Sequence, residues 1–199
     1  MLIERVKAIL LKPSETWSKI KEETADFSKV LTGYAMPLAL LPALFGFLGY
    51  TLIGYRFGFG PIGGVFRIPF TYSLIWAIVQ YILILVGLYV EGIVINILAP
   101  SFGSKPNALN AFKLAVYAYT PAFLAGILNI FPVLGFIVLL ISLYGLYLLY
   151  VGLPIMMETP KEKIAVYLIV TVIVLIVIYV IIGAISGAIL TAMWRPALF

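Results

Sequence analysis

Apolar residues run in five long blocks that do not alternate with polar positions: Leu31 to Ile53, Tyr72 to Leu98, Leu109 to Ile130, Val133 to Met157 and Ile164 to Trp194. Each exceeds the roughly 20 residues needed to cross a bilayer core as a helix. Unpaired backbone groups in hydrocarbon are costly, so a span must be a helix or part of a closed barrel, and barrel strands are shorter and alternating. The pattern predicts an all-α membrane protein with five transmembrane helices forming one membrane domain over residues 31–199, with spans at about 31–53, 72–98, 109–130, 133–157 and 164–194.

Residues 1–30 carry a different period. Leu2, Ile3, Val6, Ile9 and Leu10 recur at helical spacing, Pro13 suits a first helical position, and Trp17 and Ile20 continue the stripe. Two short amphipathic helices follow, cytoplasmic or interfacial. Trp17 and Ile20 are expected to enter the headgroup boundary or pack on helix ends. Glu15, Lys19 and Glu23 stand four apart on the polar face, a spacing worth a few tenths of a kcal/mol per favourable pair. Six bases against five acids leave residues 2–29 at net +1, which is a poor polybasic lipid tail. The segment is an ordinary membrane-lying pre-helix or a docking site for a cytosolic partner.

Composition reinforces this reading. Apolar residues make up 64% of the chain against roughly 45 to 50% in soluble domains, and the mean hydropathy is +1.17. Of the 13 Lys and Arg, ten fall on the side of the N-terminus: Arg5, Lys7, Lys12, Lys19, Lys21, Lys29, Lys105, Lys113, Lys161 and Lys163. Arg56, Arg67 and Arg195 fall on the other. The positive-inside rule then places the N-terminus in the cytoplasm and the C-terminus across the membrane. Glu4, Arg5 and Lys7 interrupt what would be the apolar core of a signal peptide, so no cleavage is expected. The chain has neither Cys nor His, which removes disulfides, thiolate nucleophiles and most transition-metal sites. No Asn begins a glycosylation sequon.

The loop GYRFGFGPIGGVFRIPF (54–70) is rich in glycine and aromatic residues but lacks the Lys-Ser/Thr of a phosphate loop, and reads as an interfacial segment. Small residues form stripes suited to helix packing in lipid: Ala35, Ala39 and Ala43 on the first span, Ala118, Ala122 and Gly126 on the third, Gly183, Ser186 and Gly187 on the fifth. Each serves contacts within one chain or a homo-oligomer face. Pro37, Pro42, Pro121 and Pro154 kink three spans or shape their packing.

Glu91 is the acid inside a span, at a cost of roughly 2.5 to 3.5 kcal/mol at a helix centre. Counting inward from the predicted ends, it lies about 10 Å deep and Lys113 about 6 Å deep, at 1.5 Å per residue. Similar depths on neighbouring antiparallel helices predict a pair, either a structural salt bridge or a proton or ion site, with Gln80, Asn96 and Asn110 adding polar atoms. No nucleophile and base can be assembled, so an enzyme is not expected, nor any cofactor, metal or nucleic-acid partner.

The segments RVKAILLKPSETWSKIKEE, TGYAMPLALLPAL, NAFKLAVYAYTPAFLAGIL and LYGLYLLYVGLP, in this order and spacing, resemble the prokaryotic branch of the Yip1-domain family over about residues 2–190. The resemblance implies five membrane helices with a cytoplasmic N-terminus. Eukaryotic members take part in vesicle trafficking and associate with prenylated Rab GTPases and with one another. This chain lacks their long N-terminal region and a D-L-Y-G-P-like motif, so Rab binding does not carry over. The leading expectation is a non-enzymatic protein in the bilayer that organises membrane or partner proteins. The alternative is a small proton or ion transporter built around Glu91 and Lys113.

Overall fold

The computed structural model describes residues 2–57 and 64–193. Most of the glycine-rich loop tip, and Trp194 and Arg195 at the end of the chain, lie outside the described residues. Two short helices, α1 (Leu2–Leu11) and α2 (Pro13–Glu22), precede five long ones: α3 (Phe27–Ile53), α4 (Phe70–Phe102), α5 (Ala108–Ile130), α6 (Pro132–Met156) and α7 (Lys161–Ala188). All five are long and apolar enough to cross a membrane.

Local chemistry sets several of the ends. Helix α3 begins four residues ahead of its apolar block because the Asp26 side chain accepts the Lys29 N–H at 2.8 Å, capping the first turn. Within α3, π turns at Leu31–Ala35 and Gly49–Ile53 flank a regular stretch that contains Pro37 and Pro42. Asn107 caps α5 by accepting the Asn110 N–H at 3.0 Å. Between α3 and α4 the strands β1 (Tyr55–Phe57) and β2 (Gly64–Phe66) pair antiparallel, Tyr55 opposite Phe66. Gly54 turns into this hairpin at φ 77°, a left-handed conformation that glycine adopts without strain.

Helix α5 is the axis of the bundle. Its most apolar stretch is 72% buried, against 33% for α3 and α4, 17% for α6 and 6% for α7. Ala111 to Ala118 are all buried, so α5 is enclosed on every side. It packs on α4, on α6 and, through its last turns, on α3, while α7 lies outermost against α4 and α6. Close approach relies on small residues: a Cβ on Gly92 of α4 would stand 2.9 Å from the Phe112 Cα, and one on Gly126 of α5 would stand 2.7 Å from the Pro42 Cα. Ala35, Ala39 and Ala43 face the interior of the bundle. Gly183 and Gly187 behave differently, since a Cβ on either would meet nothing within 4 Å.

Helices α1 and α2 form a hairpin that packs into the bundle. Trp17 and Ile20 are both 0% exposed, so both pack within the protein. Their apolar stripe, with Val6 and Ile9, completes the core formed by Leu114, Leu148 and Leu153.

Candidate functional site

Two buried ionisable groups define the functional geography, and they are not partners. Lys113, 1% exposed, turns toward the hairpin. Its ammonium donates to the carbonyl of Ile20 at 3.0 Å and to that of Glu23 at 2.8 Å. Those carbonyls lie at the C-terminal end of α2, where the last turn of any helix leaves acceptors unsatisfied and a cation is favoured. The intramembrane lysine is therefore the C-terminal cap of another helix.

The same hairpin is held at four further points. The Trp17 indole N–H donates to the Leu148 carbonyl at 3.1 Å, eight residues from the end of α6 and so about 12 Å along it. Gly152 makes room, because a Cβ there would lie 2.8 Å from Trp17 Cε2 and closer still to Leu114 Cδ1. The Tyr144 hydroxyl donates to the Leu10 carbonyl at 2.8 Å. Arg5 pairs with Glu23 and lies over the Tyr117 ring. Beyond α6, Glu158 takes the left-handed conformation (φ 54°) and bridges Lys21 at 2.9 Å and Lys105 at 2.5 Å. These two ammonium groups, Lys105 first, hold the Glu158 carboxyl down to about 2. One carboxylate thereby ties α2 to the loops on either side of α5 and α6. Between the hairpin, α3 and α5 lies a polar cleft of about 530 Å³ whose lining includes Arg5, Lys19, Glu23, Lys29, Tyr34 and Tyr117.

Glu91, 3% exposed, faces the opposite way. It lines a half-open cavity of about 360 Å³ between α4, α5, α6 and α7, with Ala118, Ala122, Ser142, Gly145 and Leu175 among the walls. No described residue forms a hydrogen bond or ion pair with its carboxylate. The small residues of α5 thus serve two ends: Ala118 and Ala122 border this cavity, while Gly126 admits Pro42.

The expected Glu91–Lys113 pair is therefore corrected. Similar depth does not fix direction around a helix. Lys113 and the cavity-lining Ala118 are five positions apart, which is about 140° of rotation, and so point to different neighbours. The same rotation separates Glu91 from Asn96, whose buried Oδ1 has no hydrogen-bond partner among the described residues and which borders a separate small cavity beside Phe27 and Phe112. Gln80 accepts from Ser186 at 3.4 Å, linking α4 to α7. Asn110 donates to the Met156 carbonyl at 3.1 Å, closing the end of α6. The five polar residues serve five separate places. The carbonyl-capping role of Lys113 was out of reach of sequence reasoning, although a Lys inside an apolar block facing a short amphipathic helix was its signal. Among the described residues no three Asp, Glu, His or Cys come together as a metal site.

Four apolar helices around a fifth, buried one, with a short helical hairpin docked on the bundle, define a multi-pass integral membrane protein in contact with the lipid bilayer. The Yip1 domain family model matches residues 7–185, and the chain belongs to that family. It is similar to the inner membrane protein YohC of Escherichia coli strain K12, with 29% identity over 154 residues, 76% of this chain and 77% of the relative. The same protein from a second Escherichia coli strain matches to the same extent. No solved structure matches the chain.

Proposed function

We propose that the protein is a non-enzymatic organiser of membrane proteins, presenting the α1–α2 hairpin to a cytosolic or membrane partner. The observation that carries this reading is the bracing of the hairpin. Trp17, Lys113 and Glu158 hold it at three points, while Ser14, Glu15, Ser18 and Glu22 stay exposed on its outer face and Lys19 at the rim of the cleft. A rigid polar face can bind without the ordering cost that a free amphipathic segment meets. Its charges need water or headgroups, so the hairpin lies at the membrane surface. The ten-to-three division of Lys and Arg supports a cytoplasmic position for that surface, with the C-terminus across the membrane.

A photo-reactive side chain at Ser14 or Ser18 should form a discrete protein adduct in cells, and the charge reversals Glu15→Lys and Lys19→Glu together should abolish it while the bundle stays folded. Adducts no different from those at lipid-facing Ile173 would overturn the reading. For orientation, single cysteines at exposed Ser101 and Glu162 should be labelled only from the cytoplasm, and one at Val133, 83% exposed at the other end, only from the far side. The reverse pattern refutes it.

A second reading, transport, is favoured by Glu91, a buried carboxylate facing a cavity without a protein counter-charge. Ion flux in liposomes that disappears in Glu91→Gln supports it, and no flux rules it out.

A further inference from the structure

We infer that the cavity between α4, α5, α6 and α7 is a binding site for an organic monovalent cation with an apolar body, an alkyl- or arylalkyl-ammonium, held by Glu91 and Ser142. This inference rests on the cavity and on neither reading of the whole protein.

The size is suitable: about 360 Å³ falls in the range of small-molecule sites, roughly 300 to 1,000 Å³. The chemistry narrows the occupant. Most of the wall is aliphatic, from Val138, Leu139, Leu146, Leu149 and Leu175. When ionised, Glu91 presents acceptors beside Ser142, and Tyr119 also lines the cavity. The Glu91 carboxylate receives no hydrogen bond from any described residue. The Ser142 hydroxyl already donates to the Val138 carbonyl at 2.7 Å, leaving its lone pairs to the cavity. An acceptor pair in an apolar shell is complementary to an N–H cation and mismatched to an anion.

A metal ion fits poorly. Hard cations take about six oxygen ligands, and one carboxylate with one hydroxyl falls short. A protein counter-charge is also absent: Lys113 is engaged with the α2 carbonyls, and no other described Lys or Arg lines the cavity. An uncompensated carboxylate in this position is costly. A ligand ammonium supplies the missing charge, and the leucines accept its hydrocarbon.

The test uses the full chain in detergent with two probes of nearly equal shape, 4-phenylbutylamine and 4-phenylbutanol, and reads the thermal midpoint and probe affinity. The amine should raise the midpoint of the unmodified protein and the alcohol should not. Glu91→Gln should weaken amine binding by about tenfold or more, the worth of one charge-assisted hydrogen bond. Gly135→Leu keeps Glu91 but fills the cavity from a position where a Cβ meets nothing within 4 Å, and it should also remove the amine effect. If Glu91→Gln fails to fold, Gly135→Leu decides alone. Equal responses to amine and alcohol, no response to the amine, or an amine response retained in the folded variants would each overturn the assignment.

Discussion

Replacing Trp17 with alanine removes the largest fully buried side chain among the described residues from the point where the hairpin meets α6. Truncating a buried Trp costs about 3 to 5 kcal/mol, against a total stability of about 5 to 15 kcal/mol for an ordinary domain. Trp17→Phe keeps most of the ring but gives up the hydrogen bond to the Leu148 carbonyl, which costs about 1 kcal/mol. The loss should fall on the hairpin first, because its hold on the bundle is confined to one face with Trp17 at its centre. Trypsin in detergent reads this directly. Lys19 and Lys21 should resist cleavage in the unmodified protein, be cut slowly in Trp17→Phe and quickly in Trp17→Ala, at temperatures where α3 to α7 stay helical. Gly152→Ala should reproduce the effect with Trp17 in place, since its Cβ would enter the space of the indole and of Leu114. If Trp17→Ala left both cleavage and thermal midpoint unchanged, the hairpin would not be docked on α6, and its bracing by Lys113 would have no basis.

Two further outcomes follow from the buried and bridging charges. Lys113→Met leaves the Ile20 and Glu23 carbonyls without their donor and should cost about 1 to 3 kcal/mol. Combined with Glu91→Gln its effect should be additive within about 0.5 kcal/mol, so strong coupling in a double-mutant cycle of thermal midpoints would restore an electrostatic pair. The Glu158 carboxyl sits at about 2 rather than its ordinary 4.5. A depressed carboxylate adds stability that is complete above the ordinary value and is lost as pH falls toward the depressed one. The midpoint of the unmodified protein should therefore drop more steeply between pH 4.5 and about 2 than that of Glu158→Gln, and parallel curves would refute the bridge.

The bundle was legible in the sequence because lipid leaves few choices: a long apolar block has to be a helix, and five such blocks have to pack. The Asp26 cap was not read from the sequence, because the apolar block begins only at Leu31, four residues after the helix does. The π turns flanking the proline-containing stretch of α3 carry no comparable signature in the sequence. The docking of α1 and α2 was hidden as well. Trp17, Ile20, Val6 and Ile9 form a stripe equally suited to lipid headgroups and to a protein groove, and what decides between them is Gly152, 135 positions away, whose missing side chain opens the groove.

Depth along a helix can be counted from sequence, but direction around it depends on tertiary packing, and the two intramembrane charges show the consequence. Glu91 and Lys113 lie at comparable depth, yet the rotation of α4 and α5 sends one toward α6 and α7 and the other toward α2. Lys113 is solvated in place by backbone carbonyls, which a docked helix end provides and an apolar block alone does not. Once the hairpin has taken the lysine, Glu91 is left facing a cavity whose walls offer it no positive group among the described residues. The bracing that makes the hairpin rigid is therefore also what leaves Glu91 open to a counter-charge from outside the chain. Undocking the hairpin should free the Lys113 ammonium, so Trp17→Ala tests whether the two sides of the bundle act independently: amine binding at Glu91 unchanged by that substitution would show that they do.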